Sequence, residues 1–172
     1  MYTLHIKKKE EAYSAKSNAI QEMSDDVVVV SMDMQSVLLS PKLHVSEQYY
    51  KMKLALHNYT FYVKNTKDVY LYVWHEGEGG ITANNITSII NFLEEYCGNK
   101  KKVILISDGC AYQNKNKVLC SALANLSAVK ELTIEQIILE KGHTMMEVDN
   151  VHSTLEKSLR HQFLHQWIMC PG

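Results

Sequence analysis

The chain has almost no net charge. Its 18 Lys and Arg side chains against 19 Asp and Glu leave a formal charge of -1, so no global positive field announces a nucleic-acid partner, and DNA would have to meet a local patch or a metal ion. The four cysteines, Cys97, Cys110, Cys120 and Cys170, show no CxxC spacing and no neighbouring CxxH pair, which removes the usual zinc site and redox pair. They read as reduced intracellular thiols. No apolar h-region is found in MYTLHIKKKEEAYSAK, and the longest aliphatic run, Val27 to Val30, is far too short to span a membrane. Also missing are a GxxxxGK phosphate loop, a GxSxG elbow and an HExxH helix. Cys110 has no base assignable from spacing, as a nucleophile would need, and reads as a small buried residue. Internal repeats and low-complexity segments are absent. The protein is expected to be soluble and not secreted. Its expected location is intracellular, with the nucleus as the compartment, although no nuclear address can be read or excluded.

What is present suits one α/β domain. A chain of 172 residues with 46% hydrophobic residues is long enough for a single real core. Residues 1–26 are polar, with Lys7, Lys8 and Lys9 followed by Glu10 and Glu11, and read as a surface helix or leader. Ser24-Asp25-Asp26 then breaks into VVVVSMDMQSVLL, whose β-branched start and apolar run suit a central strand buried on both faces. LALHNYTFYVKN and DVYLYVWHE, separated by Asn65-Thr66-Lys67-Asp68, give a hairpin signal. After Gly77, Gly79 and Gly80, Thr82 is expected to cap a helix with Ile86, Ile89, Ile90 and Leu93 at helical spacing, stopped by Gly98. KKVILISDGC reads as a buried parallel strand. Val118, Leu119, Leu123 and Leu126 mark a second helix, LTIEQIILE a fifth strand bounded by Gly142, and Val148, Val151, Leu155 and Leu159 a last helix.

Three strands, helix, strand, helix, strand, helix is the order of the RNase H-like fold, with strands 1–3 an antiparallel meander and strands 4 and 5 parallel to strand 1. The expected mixed five-stranded sheet occupies residues 27–165, followed by a tail at 166–172.

The fold places two acids for chemistry. Phosphodiester cleavage by two metal ions needs carboxylates converging on a pair of Mg²⁺ or Mn²⁺ ions, and magnesium takes oxygen ligands, few of them from protein. Asp33 interrupts an apolar strand, where a carboxylate is costly unless paired or metal-bound. A salt bridge or a strand-end position is the plainer explanation of it. Asp108, before Gly109, ends the fourth strand; a turn-capping aspartate is its plainer reading. The densest set of possible ligands is KGHTMMEVDNVHSTLEK, with His143, Glu147, Asp149, His152 and Glu156, which is equally the composition of a solvated helix face. A histidine there serves as a ligand, a proton shuttle, a phosphate contact or a structural residue. Asp149 is expected to complete the catalytic and metal set of Asp33 and Asp108. Seven residues of helix separate it from Glu156 by about 10.5 Å, too far for both to serve one ion pair. Glu156 is expected to pair with Arg160, with Glu147 the other reserve acid and His143, His152, Glu147 and Glu156 in supporting roles. The loop Gln113-Asn114-Lys115-Asn116 opens a helix, and Gln113, Asn114, Lys115 and Lys117 are expected to touch a DNA phosphate backbone.

In MDMQSVLLSP, LALHNYTFYV, VWHEG, SDGCAYQNKN and GHTMMEVDNVHSTLE, the chain resembles a family of transposase-derived domains spread through invertebrate genomes. The resemblance covers Val27 to Glu156. Its pattern around the second acid resembles D-x-C-G-G-Q-N-(K/R)-N, which Asp108, Cys110, Gln113, Asn114, Lys115 and Asn116 match. Ala111 and Tyr112 stand where the pattern has paired glycines, a change that stiffens the loop and puts activity in question more than fold. The resemblance implies a transposase or integrase core that cleaves DNA and transfers strands, with Asp33 and Asp108 as catalytic acids. Such proteins usually carry a separate DNA-binding domain, and no zinc-finger spacing or helix-turn-helix is recognisable here, so the chain resembles a core domain or a fragment of a larger protein. A homo-oligomer is compatible with this reading. The competing expectations are a domesticated, inactive binding module and another RNase H-like nuclease.

Overall fold

Val27–Met34 forms a strand because β-branched residues pack well on a pleated surface, and every residue from Val28 to Met32 is buried. In the computed structural model of the protein, residues 2–40, 54–109, 116–139 and 146–168 are described, with backbone alone at 2–9, 39–40 and 159–168. The elements are α1 (Tyr2–Gln21), β1 (Val27–Met34), β2 (Leu38–Ser40), β3 (Leu54–Val63), β4 (Val69–His75), α2 (Ile81–Cys97), β5 (Lys102–Ser107), α3 (Lys117–Lys130), β6 (Thr133–Ile138) and α4 (Glu147–Ile168).

All six strands form one sheet. β1 pairs antiparallel with β3, β3 antiparallel with β4, and β5 lies parallel to β1 on one side and to β6 on the other. The extra strand over the expected five comes from an interruption. Gln35 N–H still donates to the Asn58 carbonyl at 2.9 Å, but the next pair is Leu38 with Leu56. Two residues, Ser36 and Val37, thus oppose one, His57, a bulge that bends the chain just beyond Asp33. β2 is therefore the continuation of the first strand along the same side of β3.

Alternate residues of each strand face opposite sides. Val28, Val30, Met32, Val103 and Leu105 point into a core under α2 and α3, where the Phe61 and Phe92 rings stack at 4.3 Å. Val29, Ile104, Ile106 and Ile137 point to the other side, covered by Ala19 of α1 and Val148 of α4. The N-terminal segment expected as a polar leader thus lies against the sheet through Ala12, Ala15 and Ala19. Lys102 secures its end, reaching Glu22 at 2.6 Å and Glu135 at 2.9 Å. The last helix runs to Ile168, past the expected boundary at 165.

The hairpin between β3 and β4 turns at the expected residues, with Lys67 at φ 66. Asn65 ties that turn to β1, since its side chain accepts from Val29 N–H and donates to the Ser24 and Val27 carbonyls. Thr82 does not cap α2. The cap position is Gly80, which has no side chain to offer, and Thr82 falls inside the first turn.

The α3 cap is a side chain. Asn116 Oδ1 accepts from Leu119 N–H at 2.7 Å, and the Leu119 residue is fully buried, so that amide has no water to turn to. Asn116→Ala should cost about 1 kcal/mol of stability in urea unfolding, and Asn116→Asp much less; a neutral Asn116→Ala would show that the amide finds another partner.

Candidate functional site

In a parallel pair the strands deliver their carboxyl ends to one edge, where α/β sheets bind ligands. β1 and β5 pair Val27 with Lys102 and Ser31 with Ile106 at a constant offset. The same offset carried two residues further sets Asp33 opposite Asp108. Asp33 shares the face of Val29 and Ser31, the side covered by α4, and Thr60 is its partner on β3. Asp108 directly follows β5, and both acids are half-buried.

The charges meet at Asp33. Burial, then the neighbouring Asp108 and to a smaller extent Asp149, raise its carboxyl from 3.8 to about 7, against the pull of a backbone hydrogen bond from Met34. Asp149 is exposed in the first turn of α4. Its Oδ2 accepts from Met146 N–H at 2.9 Å, so the carboxylate also satisfies an otherwise orphaned amide at the helix start.

Glu147, two residues earlier, points elsewhere. Its Oε1 lies 2.5 Å from Lys64 Nζ and its Oε2 4.0 Å from Lys16 Nζ, and Ser31 Oγ donates to Oε2 at 3.1 Å. Burial pushes the Glu147 carboxyl up, but the Lys64 hydrogen bond, its own backbone amide and the two lysine charges outweigh it, and the net shift is down. For Lys64 burial wins instead and lowers the ammonium, with Glu147 opposing. Burial thus costs each partner, and only for the carboxylate does the pairing outweigh it.

His152 belongs to a polar network. Its Nε2 lies 3.0 Å from Thr60 Oγ1, and its carbonyl accepts from Gln35 Nε2 at 3.3 Å. Asn58 Nδ2 donates to both Gln35 Oε1 and Thr60 Oγ1, at 2.9 and 3.0 Å. Burial lowers the His152 imidazole while Asp149 and Glu156 pull it up. Glu156 is half-buried and acts on His152; the Arg160 side chain, its expected partner, is outside the described residues, as are His143, Gln113, Asn114 and Lys115. Lys117 is exposed at the start of α3.

Gln35, Asn58, Thr60 and Lys64 were not singled out by the sequence. The one available signal was a polar residue on the inward face of a strand, such as Asn58 and Thr60 inside LALHNYTFYV.

The donor set is chemically suited to a hard cation, being carboxylate oxygens with no thiolate. Among the described residues, no three His, Cys, Asp or Glu side chains stand close enough to hold one ion. Magnesium can be held through one or two carboxylates while it keeps several waters, and Asp33 and Asp108 are the two acids that the continued strand register sets opposite each other. Among the described residues, no helix is long and apolar enough to cross a membrane.

No family model and no curated protein matches the chain. Among solved structures, it is similar to a chain of the Mos1 strand transfer complex, with a TM-score of 0.50, 12% identity and 98% of this chain covered. This chain spans 55% of that one. With the strand order and the parallel pairing of β1, β5 and β6, the likeness establishes an α/β RNase H-like fold.

A raised carboxyl makes stability depend on pH. Between its unfolded value of 3.8 and its folded value of about 7, the folded protein holds a proton that the unfolded chain has released. Stability therefore falls as pH rises through that window and levels off above it. Asp33→Asn should flatten the slope between pH 4 and 7 and stabilise the metal-free protein at pH 8, by up to about 4 kcal/mol. Urea unfolding in EDTA at pH 5 and pH 8 measures this, and an unchanged slope would show that Asp33 ionises like a surface acid.

Proposed function

We propose that the chain is a transposase-like catalytic core for metal-dependent cleavage and strand transfer of DNA phosphodiester bonds. The observation that supports this most is the position of Asp33 and Asp108 at the carboxyl ends of two neighbouring parallel strands, where burial first, and then the charges of Asp108 and Asp149, raise Asp33 to about 7. Two carboxylates in a partly buried place suit a divalent cation. Strand transfer is also what the similar solved complex is named for.

In this reading Asp33 and Asp108 hold Mg²⁺ or Mn²⁺, and Asp149 is the third acid on the early part of α4. Two such ions, when bound, activate the attacking oxygen and stabilise the leaving one. The protein's own part is to keep the acids converged on one edge. Thr60 and His152 form the polar wall beside Asp33. A second reading, a DNA-binding module that has lost catalysis, draws support from the Asp149 carboxylate, which is already engaged with the Met146 amide.

Calorimetry with Mn²⁺ on the full chain separates the readings, with nicking of supercoiled plasmid as the activity arm. Asp33→Asn and Asp108→Asn should each weaken Mn²⁺ affinity by about 10-fold or more. Binding without nicking would favour the inactive module, and wild-type affinity in both variants would reject the metal site. Full function in Asp149→Ala with loss in Glu156→Ala would move the third acid two turns along the helix.

Gln113, Asn114, Lys115 and Lys117 belong to the proposed phosphate-contacting loop. Replacing Lys115 and Lys117 together by Ala should weaken binding of any duplex alike and reduce the slope of log affinity against log salt by about 2. An unchanged slope would remove this loop from the interface.

A further inference from the structure

Two hydrogen bonds join α4 to β1 and to Gln35, the residue just past its end, one on each side of the acids. On one side Ser31 Oγ donates to Glu147 Oε2 at 3.1 Å; Ser31 precedes Asp33 by two residues, and Glu147 precedes Asp149 by two. On the other, Gln35 Nε2 donates to the His152 carbonyl at 3.3 Å; Gln35 follows Asp33 by two residues, and His152 follows Asp149 by three. Asp33 and Asp149 therefore lie between two fixed points on the same two stretches of chain.

Each point is itself braced. Glu147 is held by Lys64, whose side chain is only 6% exposed. Gln35 is held by Asn58, which also bonds Thr60, the residue whose hydroxyl meets His152 Nε2. Ser31 and Gln35 are buried, at 0% and 2% exposure. Polar side chains so placed cost stability unless they are bonded, and apolar residues of similar size would pack as well without fixing direction. What directional bonds add is orientation. The need for it is local, because the start of α4 carries a carboxylate towards a strand that already holds one, and like charges drive the two elements apart.

We propose that the Ser31–Glu147 and Gln35–His152 contacts form a two-point clamp that positions Asp149 against Asp33, with Ser31, Glu147 and Gln35 as positioning residues. The clamp's purpose rests on the proposed metal site, but its mechanics belong to the metal-free chain and are tested there.

The test is a double-mutant cycle on thermal unfolding of the full chain in EDTA at pH 8. Asp149→Asn keeps an oxygen for the Met146 amide and removes the charge, and it should raise the Tm of the wild type by about 2–4 °C. In Ser31→Ala/Gln35→Leu, where the helix start can move away, the same substitution should raise it by less than half as much. Equal gains in the two backgrounds would overturn the clamp. Glu147→Gln leaves Lys64 buried without its counter-charge and is liable to misfold, whereas the Ser31 and Gln35 variants leave that ion pair intact. A second arm measures Mn²⁺ affinity. The clamp variant should bind about 10-fold more weakly when Asp149 is present and lose nothing further in an Asp149→Ala background; an equal loss in both would assign Ser31 and Gln35 a general structural role and reject positioning. A wild type that binds no Mn²⁺ but shows the stability coupling would remove the proposed metal site and keep the clamp.

Discussion

A carboxylate on a strand facing a helix loses most of its water, and Asp33 meets that loss with two further carboxylates nearby. Ionising it is costly, and the cost does not depend on what the protein does. The domain meets it with rigidity. Strands on both sides fix the backbone of β1, with β3 paired from Val30 to Met34 and β5 from Val27 to Ser31, so β1 cannot shift to relieve the repulsion. The bulge after Gln35 ends the regular ladder just past the acid, which leaves the carboxyl edge open where the charges gather.

The other face of the sheet supplies the stiffness. Phe61 and Phe92 stack, and Tyr70 meets both Phe92 and Tyr96 edge-on. This aromatic packing couples α2 to the β3–β4 hairpin. The hairpin in turn carries Thr60 and Lys64 to the opposite face, where they meet His152 and Glu147 of α4. One strand therefore connects an apolar core on one side with a polar seam on the other. The period-two alternation of β3 makes this possible, because Tyr59, Phe61 and Val63 enter the core while Asn58, Thr60 and Tyr62 turn the other way.

The seam also sorts the acids of α4. Glu147 and Asp149 are two residues apart, about 200° around the helix axis, so their side chains leave the helix in different directions and meet different groups. Glu147 takes the lysine and serine inside the fold, and Asp149 is left at the edge with the charge that Asp33 feels. Glu156 lies two turns on, beside His152. An RNase H-like sheet with a single acid-bearing helix across its carboxyl edge is thus sufficient to give neighbouring carboxylates different surroundings.

Much of this was legible in the chain itself, where the physics is local. A β-branched run makes a strand wherever it falls, Asn65 to Asp68 are residue types that favour a turn, with Thr66 Oγ1 accepting from the Asp68 N–H, and an acid inside VVVVSMDM stands out against its apolar neighbours. The order of elements then left few ways to arrange the sheet, and it set the strands that lead to Asp33 and Asp108 side by side and parallel. The rotation of α4 about its axis could not be read, because every face of EVDNVHSTLE carries a polar group and only packing against β1 and β3 selects one. The cap of α2 was misplaced to Thr82 for a similar reason: propensity favours a hydroxyl there, but the backbone leaving β4 enters the helix at Gly80. Lys64 looked like an ordinary lysine at a strand end. Its partner Glu147 lies far along the sequence, and contacts between such distant residues are set by register and helix docking, which only the folded chain decides.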